Sequence, residues 1–348
     1  MSRIEQDAIP PPAASAELGK KISLTLETKR LLLEIEKQVE GLDWQVNDRF
    51  GTTPAIAAPA HHLLAAGGKR VRPLLIALLG RALDVPFEKL ASCAVSAELV
   101  HTATLLHDDI LDGATTRGNR ITAHLKYGAH TAILSGDALL SKAISDMAEL
   151  DDPEILKRLA RTVRELVEGE CLQADLMGQV HADVEAVLEV ARRKTASLFA
   201  WSGWVTGHRA GRHADDLFRF GTHLGLAFQL RDDILDWEGR NTGKPLFQDL
   251  HETKLNSVGV MLVRKSRRAA TLLEGSFSQK DKDGYIPNPL ALGQSLQECP
   301  EYGEALGWAR KEAQDHSAFA ISHLDKLPPS QWRELTKGLT LQLLERMK

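Results

Sequence analysis

The stretch Asp108-Asp109-Ile110-Leu111-Asp112 is repeated 124 positions later as Asp232-Asp233-Ile234-Leu235-Asp236. Each copy, a DDxxD motif, follows a long apolar run that predicts a helix, residues 94–106 and 220–230. Positions i and i+4 of a helix share one face, so the first and last aspartates of each motif point the same way. The middle aspartate lies roughly 100° around the helix. A single motif could be a solvated acidic helix end, but two identical copies favour a shared task.

So many carboxylates on neighbouring helix faces would repel one another without a cation. Ligand sets made only of oxygen atoms favour Mg²⁺ over Zn²⁺. We therefore predict a magnesium site with six candidate ligands: Asp108, Asp109, Asp112, Asp232, Asp233 and Asp236.

The composition predicts a globular all-α protein. The chain has 348 residues, of which 43% are hydrophobic, with a mean hydropathy of -0.21. Between Pro86 and Pro245 the only proline is Pro153, and helix-forming residues dominate this span. We expect a disordered tail at residues 1–16 and a single catalytic domain at 17–348, a large helical bundle surrounding a central cavity.

Charge and targeting signals narrow the classes of function. A net charge of -4 and a pI near 6.4 give no reason to expect nucleic-acid binding. No apolar run approaches the roughly 20 residues of a membrane helix. The N-terminal residues lack the pattern of a signal or transit peptide, and three widely spaced cysteines suit a reducing compartment. We expect a cytoplasmic protein with no transmembrane segment.

The hydrophobic pattern predicts the positions of the main helices. A helix is expected to begin near Pro73, a favourable residue for a helix start. The span 264–289 is largely polar and charged, and we expect an excursion there in place of a main helix. The other expected helices cover residues 18–45, 87–111, 130–149, 153–178, 183–207, 211–237, 301–325 and 330–347.

Basic residues accompany both acidic motifs. Magnesium leaves coordination positions open for water and phosphate oxygens, so a diphosphate is the natural ligand to complete the site. Phosphate groups also need cationic partners, of which arginine binds in a bidentate manner and lysine acts as a mobile charge. The candidate cations are Lys69, Arg72, Arg117, Arg120, Lys194, Lys244 and Lys254.

The ordered motifs resemble those of the trans-polyprenyl diphosphate synthase family, the head-to-tail isoprenyl chain-elongation enzymes. The resemblance covers roughly residues 60 to 255. Its pieces are the stretch 67–73 (GGKRVRP), His101, the first DDxxD motif, Gly136-Asp137, 169–173 (GECLQ), Lys194-Thr195, 228–236 (FQLRDDILD), Gly243-Lys244 and Asp249-Leu250. It implies an isoprenoid synthase-like fold, a homodimer, several Mg²⁺ ions per site, and condensation of isopentenyl diphosphate with an allylic prenyl diphosphate.

The resemblance also implies a role for individual residues. Asp108, Asp112 and Asp232 would contact Mg²⁺ directly, with the other three aspartates in support. The allylic diphosphate would be held by Arg117, Lys194 and Lys254, helped by Lys244, and the isopentenyl diphosphate by Lys69, Arg72 and His101. Thr195 and Gln229 would stabilise the allylic cation, and His107 would be structural.

The chain departs from the family pattern at several positions. Gly118 occupies the place of an arginine that normally contacts isopentenyl diphosphate, and Arg120 is a candidate substitute. Phe247 occupies the place of a glycine. The run 253–258 (TKLNSV) replaces Gly-Lys-X-Thr-Leu-Pro. These changes affect the side of the site that binds the elongating substrate.

Product length is predicted from the helix before the first motif. Ala103 lies five residues upstream of Asp108, where short-chain relatives carry a Phe or Tyr that blocks the tunnel for the prenyl tail. Leu99 and Ser96 lie deeper on about the same helix face. We predict an open pocket lined by Ala103, Leu99 and Ser96, and a product of C20 or longer.

Several other functions are compatible with the same motifs. A class I terpene cyclase shares the fold and the ionisation step but usually has a different second motif. A prenyltransferase with another acceptor is permitted by Gly118. A regulatory subunit of a heteromeric synthase would usually have lost aspartates that are present here, and a purely structural bundle would not need the motifs.

Overall fold

The computed structural model describes residues 33, 54–65, 70–117, 120–239, 246–282 and 284–345. In these residues a single short antiparallel hairpin accompanies fifteen α-helices, which confirms the all-α prediction. The first part of the chain contains α1 (Pro54–Leu64), α2 (Val71–Ala82), a 3₁₀ turn (Phe87–Lys89), α3 (Ala91–Leu111), β1 (Thr116–Arg117), β2 (Arg120–Ile121), α4 (Ala123–Tyr127) and α5 (Ala129–Ala148). The remainder contains α6 (Pro153–Leu176), α7 (Val184–Ala191), a π-helical turn (Arg192–Ala196), α8 (Ser197–Arg209), α9 (Ala214–Glu238), α10 (Gln248–His251), α11 (Ser257–Lys265), α12 (Arg267–Phe277), α13 (Pro289–Gln297), α14 (Tyr302–Leu324) and α15 (Gln331–Glu345).

Most predicted helices are present within three residues of their expected bounds. The prediction of an excursion at 264–289 is wrong, because α12 runs through it. Its buried residues Ala269, Ala270, Leu273 and Phe277 follow the helical period, but charged neighbours conceal this narrow apolar stripe in the sequence. The predicted tail at 1–16, nearly all of the predicted helix 18–45, and Lys69, Gly118 and Lys244 lie outside the described residues.

Contacts divide the chain into two compact units. The first consists of Met1–Ala77 with Ala94–Ala143 and includes the first DDxxD motif. The second consists of Leu78–Cys93 with Ile144–Lys348 and includes the second motif. The single catalytic domain expected at 17–348 stays a prediction. In the described residues no helix is long and apolar enough to cross a membrane, and the cytoplasmic location also stays a prediction.

In the first unit, polar contacts connect the end of α3 to its neighbours. The Arg70 guanidinium donates to Glu98 at 2.5 Å and to the carbonyl oxygen of Leu64 at 2.7 Å, linking α1, the start of α2 and α3. The Thr122 hydroxyl donates to the carbonyl oxygen of Ala114 at 2.8 Å. The hairpin is thereby held against the chain that leaves the first motif.

In the second unit, glycines allow α8 and α9 to pack closely. A Cβ atom at Gly203 would lie 2.1 Å from the carbonyl oxygen of Leu217, and one at Gly221 would lie 2.2 Å from that of Phe199. Both distances are shorter than any real contact, so the crossing requires glycine on both helices. The second DDxxD motif is at the C-terminal end of α9, and this packing determines the path of that helix.

Candidate active site

The first DDxxD motif is at the C-terminal end of α3. Asp109 is 1% exposed, and its Oδ1 accepts hydrogen bonds from Arg117 at 2.6 and 2.7 Å. Its Oδ2 is buried without a hydrogen-bond partner among the described residues. Asp108 and Asp112 lie one turn apart and are half-buried. The motif thus has one carboxylate engaged by an arginine and two on the shared face predicted for metal ligands.

Three guanidinium groups surround His101 in the first unit. Burial, followed by the charges of Arg72, Arg117 and Arg70, holds the pKa of His101 well below its ordinary value. Burial also lowers the pKa of Arg72 to about 10, a value at which it still carries its charge at neutral pH. Glu98 pairs with Arg70, and Asp109 pairs with Arg117, so these three guanidinium groups exceed their two carboxylate partners by one positive charge beside a neutral imidazole. Such an arrangement attracts an anion rich in oxygen atoms, such as a diphosphate.

His107 is partly buried in the first unit, against α5. Its Nε2 lies 3.2 Å from the carbonyl oxygen of Ile133. A Cβ atom at Gly136 would lie 2.2 Å from the same nitrogen, so the imidazole fills the space that a side chain there would need. This packing explains why glycine precedes Asp137, and the structural role of His107 stays a prediction.

In the second unit, Lys194 lies in the π-helical turn between α7 and α8. Its ammonium group contacts Glu170 at 2.5 Å and donates to Gln173 at 2.8 Å, both on α6. A Cβ atom at Gly169 would lie 2.9 Å from the backbone nitrogen of Lys194, so glycine permits the close approach of the wide turn. Short π-helical turns occur frequently at functional sites.

A hydrogen-bonded chain leads from the wide turn to the second motif. The Thr195 hydroxyl donates to Oε1 of Gln229 at 2.7 Å, and Gln229 Nε2 donates to Oδ1 of Asp233 at 2.9 Å. The Gln229 amide is therefore oriented, with its oxygen towards Thr195 and its nitrogen towards the carboxylate. The three predicted residues Thr195, Gln229 and Asp233 lie together.

The second motif contains carboxylates in three different environments. Asp232 is partly exposed and pairs with Arg231 at 2.5 Å. Asp233 is 6% exposed, and burial, followed by the charge of Asp249, raises its pKa to about 6. Burial and Asp249 also raise the pKa of Asp236. Oδ1 of Asp236 accepts from the backbone N–H of Gln248 at 2.8 Å, whereas its Oδ2 is buried without a partner among the described residues.

These features fit a hard divalent cation at each motif. A buried carboxylate oxygen without a hydrogen-bond partner, and carboxyl groups whose pKa values are raised by burial and by a neighbouring carboxylate, are both stabilised by such an ion. Within the described residues no three acidic, histidine or cysteine side chains form a metal cage by themselves. Mg²⁺ generally completes its coordination with oxygen atoms from water or from a bound phosphate.

The turn after the second motif contains one predicted site residue and two polar residues that the sequence patterns do not indicate. Lys254, a predicted substrate ligand, pairs with Glu252 at 2.7 Å. Asn256 and Ser257 hydrogen-bond to Asp249 and Asp233, respectively. They belong to the run that departs from the family pattern, and no spacing rule marks them. The predicted pocket residues Ala103, Leu99 and Ser96 are fully buried in the first unit.

Comparison with known proteins gives a consistent answer. The family model for polyprenyl synthetase matches residues 53–286. The chain is 32% identical to a prenyl transferase of Cyanophora paradoxa, over 91% of this chain and 98% of that protein. It is 29% identical to the octaprenyl diphosphate synthase of Escherichia coli, over 80% and 86%. A polyprenyl synthase from Caulobacter crescentus, solved with calcium and isoprenyl diphosphate, superposes with a TM-score of 0.80 at 29% identity, covering 96% of this chain and 98% of that one.

Proposed function

The chain belongs to the polyprenyl synthetase family, and we propose that each of its two acidic motifs binds Mg²⁺ to drive head-to-tail condensation of isopentenyl diphosphate with an allylic diphosphate. It is a prenyltransferase that makes trans-polyprenyl diphosphates longer than C20, and it depends on a divalent metal. The alternatives of a terpene cyclase and a regulatory subunit are therefore not retained.

The observation that carries the choice of Mg²⁺ is the group of buried carboxylates at the second motif. Among the described residues Oδ2 of Asp236 is buried without a hydrogen-bond donor, and Asp233 lies near the charge of Asp249. All the nearby ligand atoms are oxygens, which Mg²⁺ prefers. When bound, the metal would stabilise negative charge on the departing diphosphate.

In the first unit, the residues are suited to hold a diphosphate. Arg72 and His101 would bind the isopentenyl diphosphate, and Arg117 the allylic diphosphate. The low pKa of His101 means that the imidazole offers one N–H donor and no charge. Arg120 lies directly opposite Arg117 in the hairpin, and opposite residues of an antiparallel pair share one face. This register supports Arg120 as the substitute for the arginine missing at position 118.

In the second unit, Lys194 would bind the allylic diphosphate from the wide turn, and Lys254 would add a second ammonium group. Thr195 and Gln229 present hydroxyl and amide oxygens 2.7 Å apart. After the allylic C–O bond breaks, these dipoles would stabilise the cation without attacking it. The alkene of isopentenyl diphosphate then forms the new C–C bond, and a proton is lost to the released diphosphate.

The test is mass spectrometry of products formed from labelled isopentenyl diphosphate with each allylic primer in turn, with Mg²⁺ or with chelator. We expect elongation only with the metal. Asp232→Asn should reduce turnover by about 100-fold or more, because a metal ligand is lost. Asp315→Asn is the matched control, since this carboxylate pairs with Lys311 on α14 away from the motif. Elongation that persists in chelator would contradict the proposal.

Product length is tested at Ala103. We expect Ala103→Phe to shorten the product, because the ring would occupy a fully buried position on the helix leading to the first motif. Ala103→Ser adds one small atom and should leave the product length unchanged. Identical products from the Phe variant and the wild type would refute the assignment of this pocket.

We also infer a homodimer. Two neighbouring apolar side chains of α5, Ile133 and Leu134, are 43% and 40% exposed. A second copy of the chain would remove them from water. Light scattering should give twice the subunit mass of 38.3 kDa, and Ile133→Lys should shift the population to the single mass. A wild-type protein that stays at the single mass would exclude the dimer.

A further inference from the structure

The turn that leads into α11 contains a hydrogen-bond network around two carboxylates, Asp249 and Asp233. We propose that Asn256 and Ser257 are positioning residues, which hold these carboxylates so that the second motif keeps the geometry for metal binding. The inference rests on the proposed function. The family pattern has Thr and Leu at these two positions, so the network distinguishes this chain from the pattern.

The orientation of the Asn256 amide follows from its donors. Its Oδ1 accepts from the indole Nε1 of Trp237 at 2.9 Å and from the backbone N–H of Gly259 at 3.2 Å. Both groups can only donate, so the oxygen must face them. The Asn256 NH₂ group then faces Oδ2 of Asp249, at 2.8 Å. Asn256 is 9% exposed and Trp237 is 1% exposed, so water does not compete for these bonds.

Ser257 holds the neighbouring carboxylate. Its hydroxyl donates to Oδ2 of Asp233 at 2.6 Å, and its backbone N–H donates to the same oxygen at 3.1 Å. Gln229 donates to Oδ1, so Asp233 has donors on both oxygens. A carboxylate bonded in this way has one orientation available.

Asp249 lies close to both buried aspartates of the motif. Its backbone N–H donates to the carboxylate of Asp236, and its own Oδ2 accepts from Asn256 at 2.8 Å. An Asp249 carboxylate that was free to rotate would approach the two aspartates of the motif and repel them. The Asn256 amide prevents this by a bond whose direction is imposed by Trp237. Groups that orient metal ligands in this manner typically affect metal affinity by about 10- to 100-fold.

The substitution Asn256→Asp tests the Asn256 role with little change in shape. The new carboxylate can still accept from Trp237 and Gly259 and can still cap α11. It replaces the donor that faces Asp249 with an acceptor, so two carboxylates come within hydrogen-bond distance and Asp249 must reorient or share a proton. We expect the dissociation constant of Mn²⁺, measured by electron paramagnetic resonance with inorganic diphosphate present, to rise about tenfold.

Asn288→Asp is the matched control. Asn288 caps α13 in the same way, its Oδ1 accepting from the backbone N–H of Ala291 at 3.2 Å, and it is exposed. It should leave Mn²⁺ binding and turnover unchanged. Unchanged Mn²⁺ binding in the Asn256 variant would overturn the proposal. Tighter binding would also overturn it, since position 256 would then behave as a ligand position.

Ser257 is tested by removing and restoring its hydroxyl. Ser257→Ala should raise the Mn²⁺ dissociation constant, and the Mg²⁺ concentration for half-maximal activity, more than it lowers kcat. Ser257→Thr retains the oxygen and should restore both. Ser202→Ala, which removes a buried hydroxyl bonded to the backbone of α8, controls for loss of stability alone. If Ser257→Ala and Ser202→Ala changed metal binding equally, Ser257 would contribute only to stability and the proposed positioning role would be wrong. Because the Mn²⁺ assay uses inorganic diphosphate, it gives an answer even if no prenyl product forms.

Discussion

At the scale of single residues, two backbone conformations explain departures from the family pattern. Phe247 and Thr253 replace glycines of the pattern, and both have left-handed backbones, with φ values of 58° and 54°. This conformation costs roughly 1–2 kcal/mol for a residue with a Cβ atom. Phe247 offsets the cost by packing its buried ring against Trp237, with 5.6 Å between ring centroids. Thr253 has only its small buried side chain to offset it.

The strain at Thr253 can be measured by comparing two substitutions. Thr253→Gly should be more stable than Thr253→Ala by about 1–2 kcal/mol, because only alanine retains the left-handed penalty. At Ala318, an exposed position of α14, glycine should instead be less stable than alanine by about 1 kcal/mol. Urea denaturation measures both differences. If Thr253→Ala were as stable as Thr253→Gly, the backbone at position 253 would not be strained.

Asp233 should make stability depend on pH when metal is absent. Its pKa is raised from 3.8 to about 6, so the folded state binds the proton more tightly than the unfolded state. Its contribution to stability is therefore complete below pH 4 and is lost as the pH rises through 6. At 1.36 kcal/mol per pKa unit, the loss amounts to about 3 kcal/mol.

The measurement is the free energy of unfolding in chelator between pH 4 and 7, for the wild type and Asp233→Asn. The wild type should lose about 3 kcal/mol relative to the variant over this range. Parallel curves would show that Asp233 does not titrate there.

At the scale of helices, the α8–α9 crossing depends on close backbone contact. Gly221→Ala should destabilise the protein by about 3 kcal/mol or more, since its Cβ atom would overlap the backbone of Phe199. Gly275→Ala is the control, because a Cβ atom in this part of α12 meets nothing within 4 Å. It should stabilise by about 0.5–1 kcal/mol through helix propensity. Thermal denaturation distinguishes the two. Similar melting temperatures for both variants would mean that the crossing relaxes easily.

Helix positions could be predicted where an apolar stripe is broad and prolines are absent. The span of α5 has no proline, and α6 has only Pro153 at its first position, so the predicted bounds of both helices lie within two residues of the observed ones. The helix α12 was missed because its stripe is narrow among charged residues. The π-helical turn could not be foreseen either, since Arg192 to Ala196 continue an ordinary helical pattern in the sequence. Its wide turn depends on packing against Gly169 of α6, which is a tertiary contact.

At the scale of the molecule, metal and diphosphate should stabilise the fold together. Mg²⁺ usually binds proteins through one or two carboxylates together with phosphate oxygens, so Mg²⁺ without phosphate should bind weakly. Mg²⁺ with inorganic diphosphate at 100 times its dissociation constant should add about 2.7 kcal/mol to the free energy of unfolding. Differential scanning calorimetry with each component alone, both together, and both with chelator checks this. An additive effect of the two components would argue against a joint site.

The charged residues of the candidate site could be predicted from the sequence more easily than the residues that position them. Aspartates, lysines and arginines stand out because their spacing and charge imply metal and phosphate. Asn256 and Ser257 have no such signal, since their importance depends on burial and on the direction of Trp237. Glu170 and Gln173 were recognised only as part of a motif, and their contact with Lys194 requires the folded packing of α6 against the wide turn.

The wide turn at Arg192–Ala196 has one further consequence, which concerns insertions and deletions. A π-helical turn holds one residue more than an α-helical turn, so removing a residue there would leave an uninterrupted α-helix from 184 onwards. Such a shortened protein should keep its helical content. However, the residues before the deletion would rotate by about 100° relative to those after it. In a library of single-residue deletions across this helix, deletions within the turn should therefore give proteins that fold but are inactive. Such a result would show that the irregular backbone is needed for activity and not for folding.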